Sequence, residues 1–121
     1  MKKHAIFKKV KDHMYLFNGA SDSSVFTLYM FLGDGLYRST YFEFLENAQE
    51  KEFYGNITTM QKQGSMVTVA LTADIIPNML PFTTTSENLI QILKEWDRLR
   101  LLQVNEIKFS LENDVLEIVG N

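Results

Sequence analysis

His4 and His13 are the only histidines in the chain and the first residues to weigh for chemistry. Imidazole can serve as a metal ligand or a general base. The two residues border short apolar-rich runs, so a hairpin could bring them together. Two imidazoles without cysteine or a surrounding carboxylate set fall short of a zinc site. No Ser or Asp at a recognisable triad spacing accompanies either one. The absence of cysteine excludes disulfides, thiolate zinc sites and cysteine nucleophiles. Gly33-Asp34-Gly35 is the one closely spaced glycine pair. A phosphate cradle needs several N–H groups ahead of a helix, usually with a Lys. The residues that follow read as a strand, so the expectation is a hairpin turn. Asn56-Ile57-Thr58 has the form of a glycosylation site, but no secretory signal precedes it. The expectation is therefore a non-enzyme with no cofactor and no required metal.

Binding is the other use to which such side chains are put. Aromatic residues are dense between Tyr15 and Tyr54. Sheets can present aromatics as platforms for stacked bases, but such platforms need basic neighbours. Here Glu43, Glu46, Glu50 and Glu52 crowd the same segment with only Lys51 against them. Most of the aromatics are expected to pack a core. Glu43, Glu46, Glu50, Glu52, Phe53 and Tyr54 form the candidate partner-binding set, since aromatic anchors among charged neighbours suit protein interfaces. The bulk charge agrees. Residues 1–11 carry five lysines and no acid, leaving 15 acids against 7 bases in the rest, a balance of −8. That surface repels nucleic acid and attracts a basic partner. A merely solubilising acidic surface is the plainer reading of the same charges.

The elements that would position these residues can be read from periodicity. Ala5–Val10 and Met14–Asn18 suggest a first hairpin, and Gly19–Ser24 a loop. Val25–Leu32 is apolar on both alternating faces, which suggests a strand covered on both sides. Leu36–Leu45, rich in aromatics and Thr, is expected as its partner strand, followed by a turn or short helical link over Glu46–Lys51. Glu52–Gln61 and Met66–Thr72 flank Lys62-Gln63-Gly64-Ser65 as another hairpin. Thr84 and Glu87 fit a capping box at the start of a helix. Leu89, Ile92, Leu93, Trp96 and Leu99 then share one helical face, with Lys94–Asp97, Glu95–Arg98 and Asp97–Arg100 as opposite charges three apart. Ile107, Phe109 and Leu111 alternate toward Glu112-Asn113-Asp114, and Leu116 and Ile118 alternate back. The expected fold is one α+β domain over residues 1–121. It has an antiparallel β-sheet of about six to eight strands, one main amphipathic helix near 85–100 and a C-terminal hairpin. No run of 18 apolar residues and no signal peptide is present, and with zero cysteines the expected compartment is the cytoplasm.

The runs TTTSENLIQILKEWDRL and NEIKFSLENDVLEIVG resemble the C-terminal regions of small bacterial immunity proteins, the inhibitors of polymorphic and contact-dependent toxins. The resemblance covers roughly a third of the chain. It implies an acidic α+β or β-rich protein without catalytic residues that binds and neutralises a cognate toxin. Many such toxins are nucleases with basic clefts, which an acidic inhibitor can plug. A secretion chaperone or adaptor is the alternative. Such chaperones commonly begin with a helix, whereas this chain begins with strand-like sequence.

Overall fold

The computed structural model describes residues 2–72, 76 and 78–121. The chain runs β1 (Lys2–Lys11), β2 (Met14–Ala20), α1 (Ser23–Leu32), α2 (Arg38–Glu46), β3 (Glu52–Tyr54), β4 (Thr58–Gln63), β5 (Met66–Leu71), β6 (Phe82–Thr85), α3 (Ser86–Leu101), β7 (Glu106–Glu112) and β8 (Val115–Gly120). The class is α+β, as expected, with all paired strands antiparallel. Among the described residues eight strands form two four-stranded sheets, ordered β2-β1-β7-β8 and β3-β4-β5-β6. The first sheet joins the two ends of the chain, because β1 pairs with β7 from Lys2↔Glu112 to Lys8↔Glu106. Among the described residues no helix is long and apolar enough to cross a membrane.

The three expected hairpins follow their sequence signals. The turn between β1 and β2 places His13 at φ 60°, and the turn between β7 and β8 holds Asn113 and Asp114 at φ 52° and 63°. Asn and Asp tolerate this left-handed region, and two such residues in succession match the twist of a tight hairpin. Gly64, at φ 62°, turns β4 into β5. The expected strand over 52–61 is in fact two, since the chain reverses at 55–57 and β3 pairs with β4.

Two elements differ from expectation. Residues 25–32 are a helix, α1, and not a strand. This helix packs against β5 and β6 on one side and β1 and β2 on the other. Val25, Leu28, Phe31 and Leu32 are buried, while Phe26 and Tyr29 stack on Phe17 and Phe7 of the first sheet. A helix covered on several sides carries no polar stripe, so its short apolar run has the same appearance as a central strand. The local signal lay just upstream: Asp22 caps the helix, its carboxylate accepting the Ser24 N–H at 2.8 Å. Residues 38–46 are likewise a helix, α2, and not a partner strand. Tyr41, Phe44 and Leu45 are buried at helical spacing. The aromatics and Thr suggested strand propensity, which is weak against tertiary packing. Gly33-Asp34-Gly35 therefore links two helices and makes no hairpin, with Gly35 at φ 87°.

The main helix begins at Ser86 and buries Leu89, Ile92, Leu93, Trp96 and Leu99. Its cap is Thr85, not Thr84: the Thr85 hydroxyl accepts the Asn88 N–H at 3.0 Å. Thr84 is buried at the end of β6. Of the three expected charge pairs on α3, Glu95–Arg98 is present at 2.7 Å. Asp97 instead receives a two-pronged bond from Arg38 (2.8 and 3.1 Å), whose guanidinium also donates to the Leu32 carbonyl at 2.8 Å. One arginine thus fastens the end of α1 and the start of α2 to α3. Between the sheets Phe7 meets Trp96 edge-on at 5.0 Å, and Phe82 meets Phe109 at 6.0 Å across the two sheets. A single buried cluster draws residues from both sheets and all three helices.

Candidate protein-binding site

Glu43, Glu46, Glu50, Glu52, Phe53 and Tyr54 all line one open concavity of about 880 Å³. One wall is the outer side of α2, the floor is the 47–51 turn, and the other wall is β3. Burial of Tyr41, Phe44 and Leu45 turns Glu43 and Glu46 outward. Glu50 and Glu52 are exposed beyond the helix end. Phe53 is half-buried, its ring 5.7 Å from Tyr41 and 5.5 Å from Phe44, so it belongs partly to the core. Tyr54 is 70 % exposed and the most prominent aromatic of the set. Its hydroxyl donates to the Glu52 carboxylate at 3.0 Å. That bond, with the Glu52 charge behind it, raises the Tyr54 pKa.

Cations near the concavity are engaged with backbone. The Lys62 ammonium lies 4.4 Å from the centre of the Phe44 ring and donates to the carbonyls of Phe44 and Asn47. It serves the exposed carbonyls at the end of α2, where a cation also complements the helix dipole. Burial first, and then the Lys51 charge, lower the Lys62 pKa. Lys51 donates to the Ala48 carbonyl at 3.4 Å. Among the described residues none of the four glutamates forms an ion pair. The face thus presents four carboxylates outside any ion pair, with Glu52 also holding the Tyr54 hydroxyl.

The relative placement of the two walls depends on a residue read at sequence level only as part of a turn. Asp34 is 5 % exposed. Its carboxylate accepts the backbone N–H groups of Asn56 (3.1 Å), Ile57 (2.8 Å) and Thr58 (3.3 Å) and the Thr58 hydroxyl (2.7 Å). The Asn56 side-chain amide returns a bond to the Asp34 carbonyl at 2.9 Å. The α1–α2 link is thereby fixed to the β3–β4 turn. Gly55 makes the approach possible, because a Cβ there would lie 2.4 Å from the Asp34 carboxylate. An isolated acid between two glycines, with Gly-Asn and Thr downstream, was the available signal.

The histidines do not meet. His4 lies near the start of β1 and His13 in the turn beyond its end, on the order of 25–30 Å apart at strand rise. His13 packs on the end of α3, its Nδ1 3.1 Å from the Arg100 carbonyl oxygen, while Arg100 Nε donates to the His13 carbonyl at 3.0 Å. Among the described residues no group of three metal-ligating side chains assembles. Asn56, in the would-be glycosylation site, has its side chain engaged with Asp34.

No protein-family model matches the chain, and neither the curated proteins nor the solved structures yield a match.

Proposed function

We propose that this chain is a non-enzymatic binding protein of the cytoplasm that neutralises a cognate bacterial toxin by direct, non-covalent contact. The observation that carries the reading is the concavity: four exposed carboxylates, none in an ion pair among the described residues, gathered around Phe53 and Tyr54. A basic toxin domain, such as a nuclease whose cleft binds phosphates, is the partner this chemistry suits. Charge complementarity of this kind speeds encounter and rejects wrong partners. An exposed tyrosine offers a rigid, amphipathic anchor of the type that dominates interface energetics. The resemblance of the C-terminal third to immunity proteins points the same way.

The test is co-expression with a candidate basic toxin domain, such as one encoded by a neighbouring gene, paired with a pull-down of the two purified proteins. Protection of the host cell together with a stable complex supports the reading. A toxin that kills regardless and fails to bind rejects it for that pair.

A further inference from the structure

The outward face of the β2-β1-β7-β8 sheet takes no part in the core. β1 turns Ala5 and Phe7 inward, and β7 turns Ile107, Phe109 and Leu111 inward. The intervening residues point away. This face carries four lysines (Lys2, Lys8, Lys11, Lys108) and three glutamates (Glu106, Glu112, Glu117), and strand register sets opposite signs together. Lys2 stands opposite Glu112 and Lys8 opposite Glu106. The Lys8 and Lys108 ammonium groups each lie 3.6 Å from Glu106. Aliphatic side chains sit among the charges: Leu16 is 48 % exposed, Val119 47 % and Val115 65 %, with Ile6 half-buried at the centre. Ile6, Lys108 and Val119 line an open concavity of about 590 Å³ there.

We propose that a second copy of this chain docks on this face, giving a two-fold dimer through the two outward sheet surfaces. A face whose signs nearly balance does not select a polyanion, an anionic membrane or a basic protein. It selects a surface with the same alternation in exchanged order, and a two-fold axis supplies one, since symmetric interfaces must be self-complementary. An axis parallel to the strands, midway between β1 and β7, lays β1 of one copy over β7 of the other at the same level. Lys2 then meets Glu112 and Lys8 meets Glu106 across the interface, each pair twice. The aliphatic residues lose water between sheets packed about 10 Å apart, as in aligned sheet packing. Four strands about 4.8 Å apart and seven residues long at about 3.3 Å each give a plane of roughly 440 Å². Stable interfaces bury about 800 Å² per partner, so the dimer is small and dissociates on dilution. The acidic concavity belongs to α2 and β3 outside this face, so each copy keeps it free.

Sedimentation velocity of the full chain from about 10 μM to about 1 mM tests this, the range in which so small an interface dissociates. The mean mass is expected to rise toward twice that of the monomer, and to rise less at high salt. Lys8→Glu combined with Val119→Asp should weaken association at least about tenfold while leaving the circular dichroism spectrum unchanged. If that variant fails to fold, Val115→Thr, a change of similar shape at an exposed position, should weaken association in the same direction. A wild-type chain that stays monomeric throughout overturns the proposal. So does a dimer equally strong in the folded variants, because the copies would then meet elsewhere.

Discussion

Replacing Asp34 by Ala removes an acceptor shared by three backbone N–H groups and one hydroxyl. The site is 5 % exposed, so water cannot readily take the carboxylate's place. A buried donor left unsatisfied costs about 1–3 kcal/mol, and bonds to a charged acceptor sit toward the upper end. These four share one group, and their losses will not add fully. The net expectation is a loss of about 3–5 kcal/mol, that of two or so fully orphaned donors. Total stability of about 5–15 kcal/mol makes that a large fraction. Asp34→Asn keeps the shape and one acceptor oxygen but turns an NH₂ group toward N–H donors, so it should cost about half as much. Urea unfolding followed by circular dichroism and Trp96 fluorescence reads both values. A cost below about 1 kcal/mol for Asp34→Ala would refute the argument that this carboxylate fixes the two walls of the concavity.

Leu93→Ala, at a fully buried position on α3, should destabilise by about 2–5 kcal/mol in the same urea assay. Tyr41 is 1 % exposed, and its hydroxyl lacks a hydrogen-bond partner among the described residues. Burial, and secondarily the Asp34 charge, push its pKa up to about 12, with Arg38 opposing. A folded-state value above the unfolded 10.0 means the folded chain holds the proton longer. Its titration therefore leaves folding stability unchanged below pH 10.0 and lowers it as pH rises toward about 12. Tyr41→Phe should be neutral or stabilising by about 1 kcal/mol near neutral pH, because it deletes an unpaired buried hydroxyl. It should also reduce the alkaline loss, as comparison of urea midpoints at about pH 8 and about pH 11 will show.

Legibility in the sequence followed the number of layers around each element. α3 and the β7–β8 hairpin each bury one face, so Leu89 to Leu99 and Ile107 to Ile118 display clean helical and alternating periods. α1 is enclosed by both sheets, and Phe26 and Tyr29 occupy the side where a surface helix would be polar. Its period was erased by its own burial, and only the Asp22 cap marked it as helical. α2 did retain a helical spacing in Tyr41, Phe44 and Leu45, which the strand-forming character of its residues obscured. One sheet was expected where two exist, because the alternation along a strand marks its buried face and not which strand it pairs with. The six candidate interface residues could be grouped in advance since they are close in the chain, and α2 and β3 keep them on one surface. The Asp34 cradle was far harder to group, because its partners lie more than twenty residues away and three of the four bonds come from backbone N–H groups, which leave no mark in the sequence.

The most direct test of the toxin-neutralising reading is the association rate between this chain and such a candidate toxin domain, measured for wild type and for Glu43→Lys combined with Glu50→Lys. Both positions are exposed, so folding stability should change by about 0.5 kcal/mol or less. Binding to a basic toxin should be fast at low salt and slow as salt rises, since exposed charges are screened over about 8 Å at physiological ionic strength. The double variant should associate at least about tenfold more slowly and lose most of that salt dependence. A variant that associates and protects as well as wild type would contradict the role of the acidic concavity, and a wild-type chain that does not bind the toxin at all would contradict the function itself.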